Sequence, residues 1–359
     1  MLKKMNKTTK NNLITYAMVI LAFVIMQILI SAGSISSLLQ GLMVPLCTYI
    51  ILAVSLNLVV GILGELSLGH AGFMCVGAFT SAFFSKCTRD VIASDGLRFF
   101  LALLIGIVTA AIFGMLIGIP VLRLKGDYLA IVTLAFGEII KNMVNVLYIG
   151  KDSKGFHVTT KDVMALNMDA DGTVILNGPQ GITGTPKNST FVIGFILILL
   201  TVFIVQNLIN SRDGRAIMAI RDNRIAAESI GINITKYKLM AFTISAAMAG
   251  AAGVLYAHNI STLTANTNNF GYNMSITILV FVVLGGIGNI RGSIIAAVIL
   301  TLLPELLRGM KDYRMLIYAI VLIVMMLFNW SPKAIEWREK LNDWRKKHFS
   351  FGKKAKEVE

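Results

Sequence analysis

Long apolar stretches, each suited to crossing a lipid bilayer as a helix, restrict the fold of this sequence more than any other feature. A helix needs about 20 apolar residues to cross the hydrocarbon core of a bilayer, where backbone polar groups must be satisfied within the protein. We predict ten spans and therefore an all-α, polytopic membrane protein. The ten are Leu13–Ile30, Leu42–Leu63, Leu66–Phe84, Phe99–Leu122, Tyr128–Ile149, Phe191–Ile209, Leu239–Ala257, Ser275–Gly288, Ser293–Arg308 and Arg314–Trp330.

The composition agrees with a membrane protein. Of 359 residues, 56% are hydrophobic and 14% are charged, whereas soluble domains carry about 25% charged residues. A net charge of +14 would suit nucleic-acid binding, but the placement of the basic residues argues against it. If the N-terminus is inside, the inside segments hold 22 of the 33 Lys and Arg residues and the outside segments hold ten. Short cytoplasmic loops are enriched in Lys and Arg, so we predict that both termini are cytoplasmic.

The predicted spans divide the chain into a transmembrane domain, residues 13–330, and two tails. Residues 1–12 form a cytoplasmic N-terminal tail, and residues 331–359 form a basic cytoplasmic C-terminal tail. Within the domain, residues 150–190 form a long external loop. Residues 211–238, hereafter the 211–238 segment, form a polar cytoplasmic connection.

Two glycine-rich stretches interrupt the apolar pattern. We name "GILGELSLGHAG" (Gly61–Gly72) the first glycine break and "GGIGNIRG" (Gly285–Gly292) the second glycine break. Short hydrophobic pieces broken by glycine are typical of discontinuous helices beside a transport path. Close helix packing through glycine, also suggested by Gly114 and Gly118 in "GMLIG", explains the same pattern, and the sequence favours neither.

Four ionisable residues lie in predicted spans, and each is costly there unless it has a partner or a function. Glu65 and His70 fall in the first glycine break, where they either line a path or support the structure. Glu138 and Lys141, three residues apart on one helix face, are predicted to neutralise each other. The three scattered cysteines, with no clustered ligands around them, predict neither a disulfide nor a metal site.

The 211–238 segment, "SRDGRAIMAIRDNRIAAESIGINITKYK", is longer than a turn requires. Ser211 and Asp213 are predicted to cap one short helix, and Asp222-Asn223 a second one that Gly231 ends. Thr235 is predicted to cap the next span.

Two short helices with small residues and exposed arginines suit insertion into a groove on another protein. An amphipathic helix resting on lipid is the alternative, which the lack of Trp and Phe in the segment disfavours.

No catalytic motif is present in the sequence. It contains no His-Glu-x-x-His, no Gly-x-Ser-x-Gly and no Gly-x4-Gly-Lys-Ser/Thr phosphate loop. We therefore predict that the chain is not an enzyme, binds no cofactor itself and does not bind nucleic acid.

Four stretches resemble the branched-chain amino acid ABC transporter permeases. They are Leu56–Ala82, Arg123–Ile139, Gly214–His258 and Ile278–Arg308, and "NGPQGIT" at the end of the external loop is also similar. The resemblance implies the ABC importer permease fold, with cytoplasmic coupling helices, in the plasma or inner membrane. The residues that match the coupling motif are Gly214, Arg215, Ala219, Arg221, Asn223, Ala226, Ala227 and Gly231.

The resemblance also implies partners. Two ABC ATPase subunits would use ATP, a second homologous permease would complete a heterodimer, and an extracytoplasmic solute-binding protein would deliver branched-chain amino acids. The sequence departs from the family at Asn259–Tyr272 and in the "NIRG" turn, and Lys151–Val174 has no counterpart that we recognise. These departures leave urea or short amides open as cargo. An ion-coupled secondary transporter that uses Glu65 and Glu138 is the alternative from another class.

Overall fold

The fold consists mainly of membrane-length helices. A computed structural model describes residues 7–33, 36–89, 91–124, 126–169, 172–307 and 313–330; the predicted C-terminal tail and the first half of the N-terminal tail lie outside these ranges. The helices are α1 (Lys7–Ser31), α2 (Ser37–Asn57), α3 (His70–Cys87), α4 (Asp95–Val121), α5 (Asp127–Val146), α6 (Phe191–Asn210), α7 (Arg212–Asp222), α8 (Arg224–Ser229), α9 (Ile234–Ala257), α10 (Thr267–Phe270), α11 (Tyr272–Gly285), α12 (Ile290–Leu306) and α13 (Arg314–Trp330).

Seven helical stretches in the described part of the chain are long and apolar enough to cross a membrane. They contain α1, α2, α4, α5, α6, α9 and the consecutive pair α10–α11, which Gly271 separates. The other three predicted spans are helical as α3, α12 and α13, but α12 and α13 have only 17 residues each, and α3 includes the polar residues His70 and Lys86. A polytopic membrane fold is confirmed, whereas the count of ten spans is not.

The described residues divide between two compact units, the first ending at residue 298 and the second beginning at residue 299. In the first unit the core surrounds α2. In the most apolar 18-residue stretch of Ser37–Leu63, 94% of the residues are buried. In the corresponding stretch of Asn12–Ser31 only 11% are buried. Helices α6, α9 and α11 pack beside α2, and α3 and α4 pack against α9. The second unit contains the end of α12 and the helix α13.

Close helix packing through glycine, one of the two interpretations that the sequence left open, occurs between α4 and α9. A Cβ atom added at Gly114 would lie 2.5 Å from the Cβ of Ala246, and one added at Gly118 would lie 2.7 Å from Leu239 Cδ1. Small residues allow helices in a membrane to approach this closely.

The first glycine break does interrupt a membrane helix. After α2 the backbone widens into a π-helical turn, Leu58–Leu63, and then runs without helical structure to Gly69. The second glycine break separates α11 from α12, with Gly286 and Gly288 in left-handed conformations. Both glycine breaks are therefore interruptions of helices, which is one of the two interpretations that the sequence left open.

The loop at residues 150–190 contains a small β-sheet, which the sequence did not predict. Its strands β1 (Tyr148–Asp152), β2 (Gly155–Thr159) and β3 (Thr173–Asn177) form an antiparallel sheet in the order β2-β1-β3. Strand β4 (Ile182–Thr183) pairs with β5 (Thr262–Leu263), so this loop is joined to the connection that follows α9.

The carboxylate of Asp152 organises the turn of the sheet. Its Oδ1 accepts hydrogen bonds from the backbone N–H groups of Lys154 (2.8 Å) and Gly155 (3.0 Å). Its Oδ2 accepts one from the N–H of Asp169 (3.3 Å) and lies 2.9 Å from Nε2 of His157. Desolvation by burial acts to raise the pKa of Asp152, but these N–H groups and the imidazole outweigh it and hold the pKa below its ordinary value.

Candidate functional site

The 211–238 segment folds into two short helices, α7 and α8, followed by the start of α9. Ser211 caps α7, since its hydroxyl accepts from the N–H of Gly214 at 3.0 Å. Asn223 caps α8 by accepting from the N–H of Ala226 at 3.1 Å. Gly231 follows α8 with φ +85°, a conformation that favours glycine. These three signals were predicted from the sequence and are confirmed.

The predicted cap at Thr235 is wrong. Helix α9 begins at Ile234, and Asn233 caps it by accepting from the N–H of Lys236 at 3.0 Å. Both side chains can act as caps, but asparagine is the stronger one. The choice of Asn233 starts the helix nearer to Gly231, which leaves a short connection between α8 and α9.

A small apolar core joins the three helices of the segment. Ile220 from α7, Ala227 from α8 and Ile234 from α9 are buried against one another. The segment is therefore a packed unit and not a flexible linker. Ala227, one of the residues that match the coupling motif, contributes to this internal core and is only 2% exposed.

The other residues that match the coupling motif divide between the surface and the interior. Gly214 is buried and Ala219 is partly buried, while the rest are exposed: Arg215, Arg221, Asn223, Ala226 and Gly231.

Two exposed isoleucines on the segment were missed by sequence reasoning. Ile225 is 81% exposed and Ile230 is 75% exposed. They are large apolar side chains left uncovered on an otherwise polar segment. Their position beside Ala226, on a helix too short to bury both faces, was the available signal.

Gly214 brings α7 close to the end of α6. A Cβ atom added there would lie 2.0 Å from the carbonyl oxygen of Leu208 and 2.8 Å from Cα of Ile209. Any larger residue would push α7 away, so α6 and α7 meet at a fixed junction.

Arg221 connects the segment to the first glycine break. Its Nη1 donates to the carbonyl oxygen of Gly61 at 3.0 Å, and its Nε and Nη2 donate to Asp222 Oδ1 at 3.0 Å and 2.9 Å. A carbonyl in the π-helical turn lacks its usual helical partner, which the guanidinium replaces. Sequence reasoning selected Arg221 but could not place it against Gly61, 160 residues away in the chain.

The two glycine breaks touch each other beside this contact. A Cβ atom at Gly61 would lie 2.3 Å from the backbone nitrogen of Gly288, so no larger residue fits without moving one break. Asn57 bridges them: its Oδ1 accepts from the N–H of Gly288 and its Nδ2 donates to Ser293 Oγ, each at 2.8 Å. Asn57 was not selected from the sequence.

A second contact ties the segment to the first glycine break. Lys238, the last residue of the segment, forms an ion pair with Glu65. The two side chains are only 5% and 15% exposed. Glu65 is thus neutralised by a partner that sequence reasoning did not identify.

The remaining ionisable residues also have partners. His70 is buried, with Nε2 2.6 Å from Ser55 Oγ, and begins α3. Glu138 and Lys141 form the predicted ion pair at 2.5 Å. Glu138 Oε1 also accepts from the N–H of Tyr272 at 2.8 Å, which caps the start of α11.

The described residues contain no cluster of three or more His, Cys, Asp or Glu side chains suited to a metal ion. The candidate functional site is the 211–238 segment together with its attachments. It consists of a packed surface segment with exposed apolar residues, attached through Arg221 and Lys238 to two interrupted membrane helices.

Comparison with known families identifies the class of protein that carries this arrangement. The family model for the permease component of branched-chain amino acid transport systems matches residues 37–328. The chain belongs to this family, and it is a multi-pass membrane permease subunit rather than an enzyme.

Individual members of this family are also similar to the chain. The chain is 35% identical to the high-affinity branched-chain amino acid transport system permease protein LivM of Salmonella typhimurium, over 91% of this chain and 75% of the relative. It is 33% identical to LivM of Escherichia coli over the same shares. LivH of Escherichia coli, a permease protein of the same kind of system, is 26% identical over 70% of this chain and 79% of its own length. No solved structure matched the chain.

Proposed function

We propose that this chain is the membrane permease of an ATP-driven importer that moves branched-chain amino acids into the cytoplasm. Two ABC ATPase subunits would bind the 211–238 segment at the surface around Ile225 and Ile230, and a solute-binding protein on the outer side would deliver the cargo. The observation that carries the proposal is the packed α7–α8 unit, which exposes Ile225 and Ile230 and is attached to both glycine breaks.

The segment has the properties that mechanical coupling needs. Coupling requires an element whose position differs between two states and which a partner can bias. Exposed apolar side chains on short helices suit insertion into a groove of an ATPase. The internal core of Ile220, Ala227 and Ile234 would make the segment move as one body.

The contacts of the segment define a route for that movement. Arg221 binds Gly61 directly, and Gly61 lies against Gly288 in the second glycine break. A shift of α7 would therefore reach the ends of α2, α11 and α12 together. We propose that the paired breaks open and close the cytoplasmic side of the path.

The similarity to relatives supports the cargo and one partner. Relatives named as branched-chain amino acid permeases match over most of the chain, which favours these amino acids over urea or short amides. The more distant similarity to LivH supports a second permease of the same family as partner in a heterodimer.

An ion-coupled secondary transporter is less well supported. Such a transporter would use a membrane carboxylate that binds and releases a cation. Glu65 and Glu138 are instead paired with Lys238 and Lys141, so neither carries an unbalanced charge.

The test uses Ile225→Asp, because a charge on the exposed isoleucine would oppose docking in an apolar groove. We expect the variant to insert and fold but to lose co-purification with the ATPases and ATP-dependent uptake of leucine in vesicles. Thr235→Asp places the same charge at an exposed position at the start of α9, outside the α7–α8 surface, and is expected to retain both. Uptake that persists in Ile225→Asp, or that follows an ion gradient after ATP depletion, would contradict the proposal.

A further inference from the structure

A cavity of about 620 Å³ lies under the external sheet, and we name it the sheet-roofed pocket. Helices α3, α4 and α5 form its walls, with Phe79 and Phe83 from α3 among the lining side chains. Its roof comes from the strands: Ile149 of β1, Phe156 of β2, and Leu176 of β3. The volume lies in the range of pockets that hold small molecules.

The chemistry of the lining excludes a charged or zwitterionic occupant. Its two hydroxyls, on Thr80 and Thr109, are 3.0 Å apart and also donate to backbone carbonyls of Val76 (2.7 Å) and Ile105 (2.9 Å). No residue with a charged side chain lines the pocket among the described residues. A free amino acid would lose its hydration there without gaining partners, at a cost of several kcal/mol. The lining suits a hydrocarbon chain.

The mouth of the pocket lies at the outer surface of the protein, between α5 and β2. Met143 on α5 and Phe156 on β2 line the pocket and are 62% and 57% exposed. The outer faces of α4 and α5 beside it are apolar, with Leu104, Val108 and Ile139 exposed. In a membrane these faces contact acyl chains, so the mouth adjoins the bilayer at the level of the sheet.

Positively charged lysine side chains lie at the mouth of the pocket. Lys151 lies directly opposite Phe156 across the β1–β2 pair. The ammonium groups of Lys151 and Lys86 are both within electrostatic reach of the Cys87 sulfur, which lines the pocket. Lys86 also donates to the carbonyl oxygens of Val174 (2.8 Å) and Ile175 (3.3 Å), which fastens the sheet over the end of α3. An apolar cavity with a cationic rim complements an anionic lipid.

We propose that the sheet-roofed pocket binds one acyl chain of an anionic phospholipid from the adjacent bilayer leaflet, with Lys151 supplying positive charge for its phosphate. The lipid site combines Lys151 and Phe156 at its rim with walls from α3, α4 and α5. It does not depend on how the permease is energised.

The natural cysteines give a direct measurement on the full-length chain. Cys87 lines the pocket and is partly exposed, whereas Cys47 and Cys75 are buried and serve as internal controls. The purified chain is stripped of lipid, and modification of each cysteine by N-ethylmaleimide is followed by peptide mass spectrometry. We expect phosphatidylglycerol to slow modification of Cys87 about tenfold, equivalent to about 1.4 kcal/mol of binding. Phosphatidylcholine and free oleate should protect less.

Two pairs of variants define the site. Val144→Trp would fill the pocket, whereas Val146→Trp places the same side chain at an exposed site of α5 that does not line the pocket. We expect native mass spectrometry to find retained phospholipid on the wild type and on Val146→Trp but not on Val144→Trp. Lys151→Gln should abolish the preference for phosphatidylglycerol over phosphatidylcholine, and Lys161→Gln, an exposed lysine elsewhere in the same loop, should preserve it.

Several results would overturn the lipid site. One is Cys87 modification that is independent of added lipid, a measurement that needs no variant to fold. Another is equal retention of lipid by both tryptophan variants. Protection of Cys87 in a delipidated complex with a second permease would show that protein, not lipid, covers the pocket.

Discussion

In the proposed mechanism coupling depends most on Arg221, because this residue joins α7 to the first glycine break by a direct hydrogen bond. We predict that Arg221→Gln lowers uptake about tenfold or more while ATP hydrolysis by the assembled complex continues. A hydrogen bond to a charged group contributes about 1.5–3 kcal/mol, and its loss would leave the Gly61 carbonyl without this donor. Uptake and ATP hydrolysis measured on the same vesicles check this prediction.

Arg212→Gln is the matched control, because Arg212 is exposed on the same helix. It removes the same charge and is expected to leave uptake near the wild-type value. Equal loss of uptake in both variants would show that overall charge, and not the contact with Gly61, matters.

The ion pair between Glu65 and Lys238 makes a second prediction about single residues. Removing one member of a buried pair costs about 3–5 kcal/mol, because the other charge stays buried and unpaired. We expect Lys238→Met to lower the thermal stability of the detergent-solubilised protein markedly. The double variant Glu65→Gln with Lys238→Met should recover most of the loss, since it leaves no charge behind.

Thermal unfolding of the wild type, both single variants and the double variant provides the thermodynamic cycle. Additive losses in the double variant would mean that the two side chains do not interact. That outcome would also return Glu65 to the candidates for a cation-binding carboxylate.

At the scale of single elements, the external sheet should be sensitive to acid. The pKa of Asp152 is lower in the folded sheet than its ordinary value of about 3.9. Its stabilising contribution is therefore complete above the ordinary pKa and is lost as the pH falls through the lowered one. We predict that hydrogen exchange at the N–H groups of Lys154 and Gly155, corrected for intrinsic rates, accelerates below about pH 4.

Substitution of the carboxylate identifies the group responsible. Asp152→Asn should raise exchange already at neutral pH and flatten its pH dependence, because the amide does not titrate. Asp162→Asn, at an exposed position of the same loop, should change neither. An unchanged pH profile in Asp152→Asn would exclude Asp152 as the origin of the acid sensitivity.

Elements differ in how far the sequence determines them. The caps Ser211 and Asn223 were predicted because capping residues act locally. The glycine breaks at Gly61–Gly72 and Gly285–Gly292 were located from the sequence, but glycine alone did not distinguish an interrupted helix from close helix packing. The contact of Arg221 with Gly61 was not predictable, because it joins positions far apart in the chain. The sheet was missed for a related reason: strand formation depends on cross-strand neighbours more than on local preference.

At the scale of the whole molecule, α6 separates the sheet from the 211–238 segment. The helix has 20 residues, so it spans about 30 Å, the thickness of the hydrocarbon core. The sheet precedes α6 and α7 follows it, which places the two on opposite faces of the membrane. From the distribution of Lys and Arg we predict that the segment faces the cytoplasm, where ATPases would reach it.

This assignment predicts the outcome of labelling from one side of the membrane. In a background without the natural cysteines, Met164→Cys would report the sheet side and Lys236→Cys the 211–238 segment, since both positions are exposed. We expect a membrane-impermeant maleimide to label Met164→Cys in intact cells and Lys236→Cys only after permeabilisation. Labelling of Lys236→Cys in intact cells would place the segment outside, where no ATP-hydrolysing partner could act on it. In that case the contact between Arg221 and Gly61 would remain a feature of packing, without a role in transport.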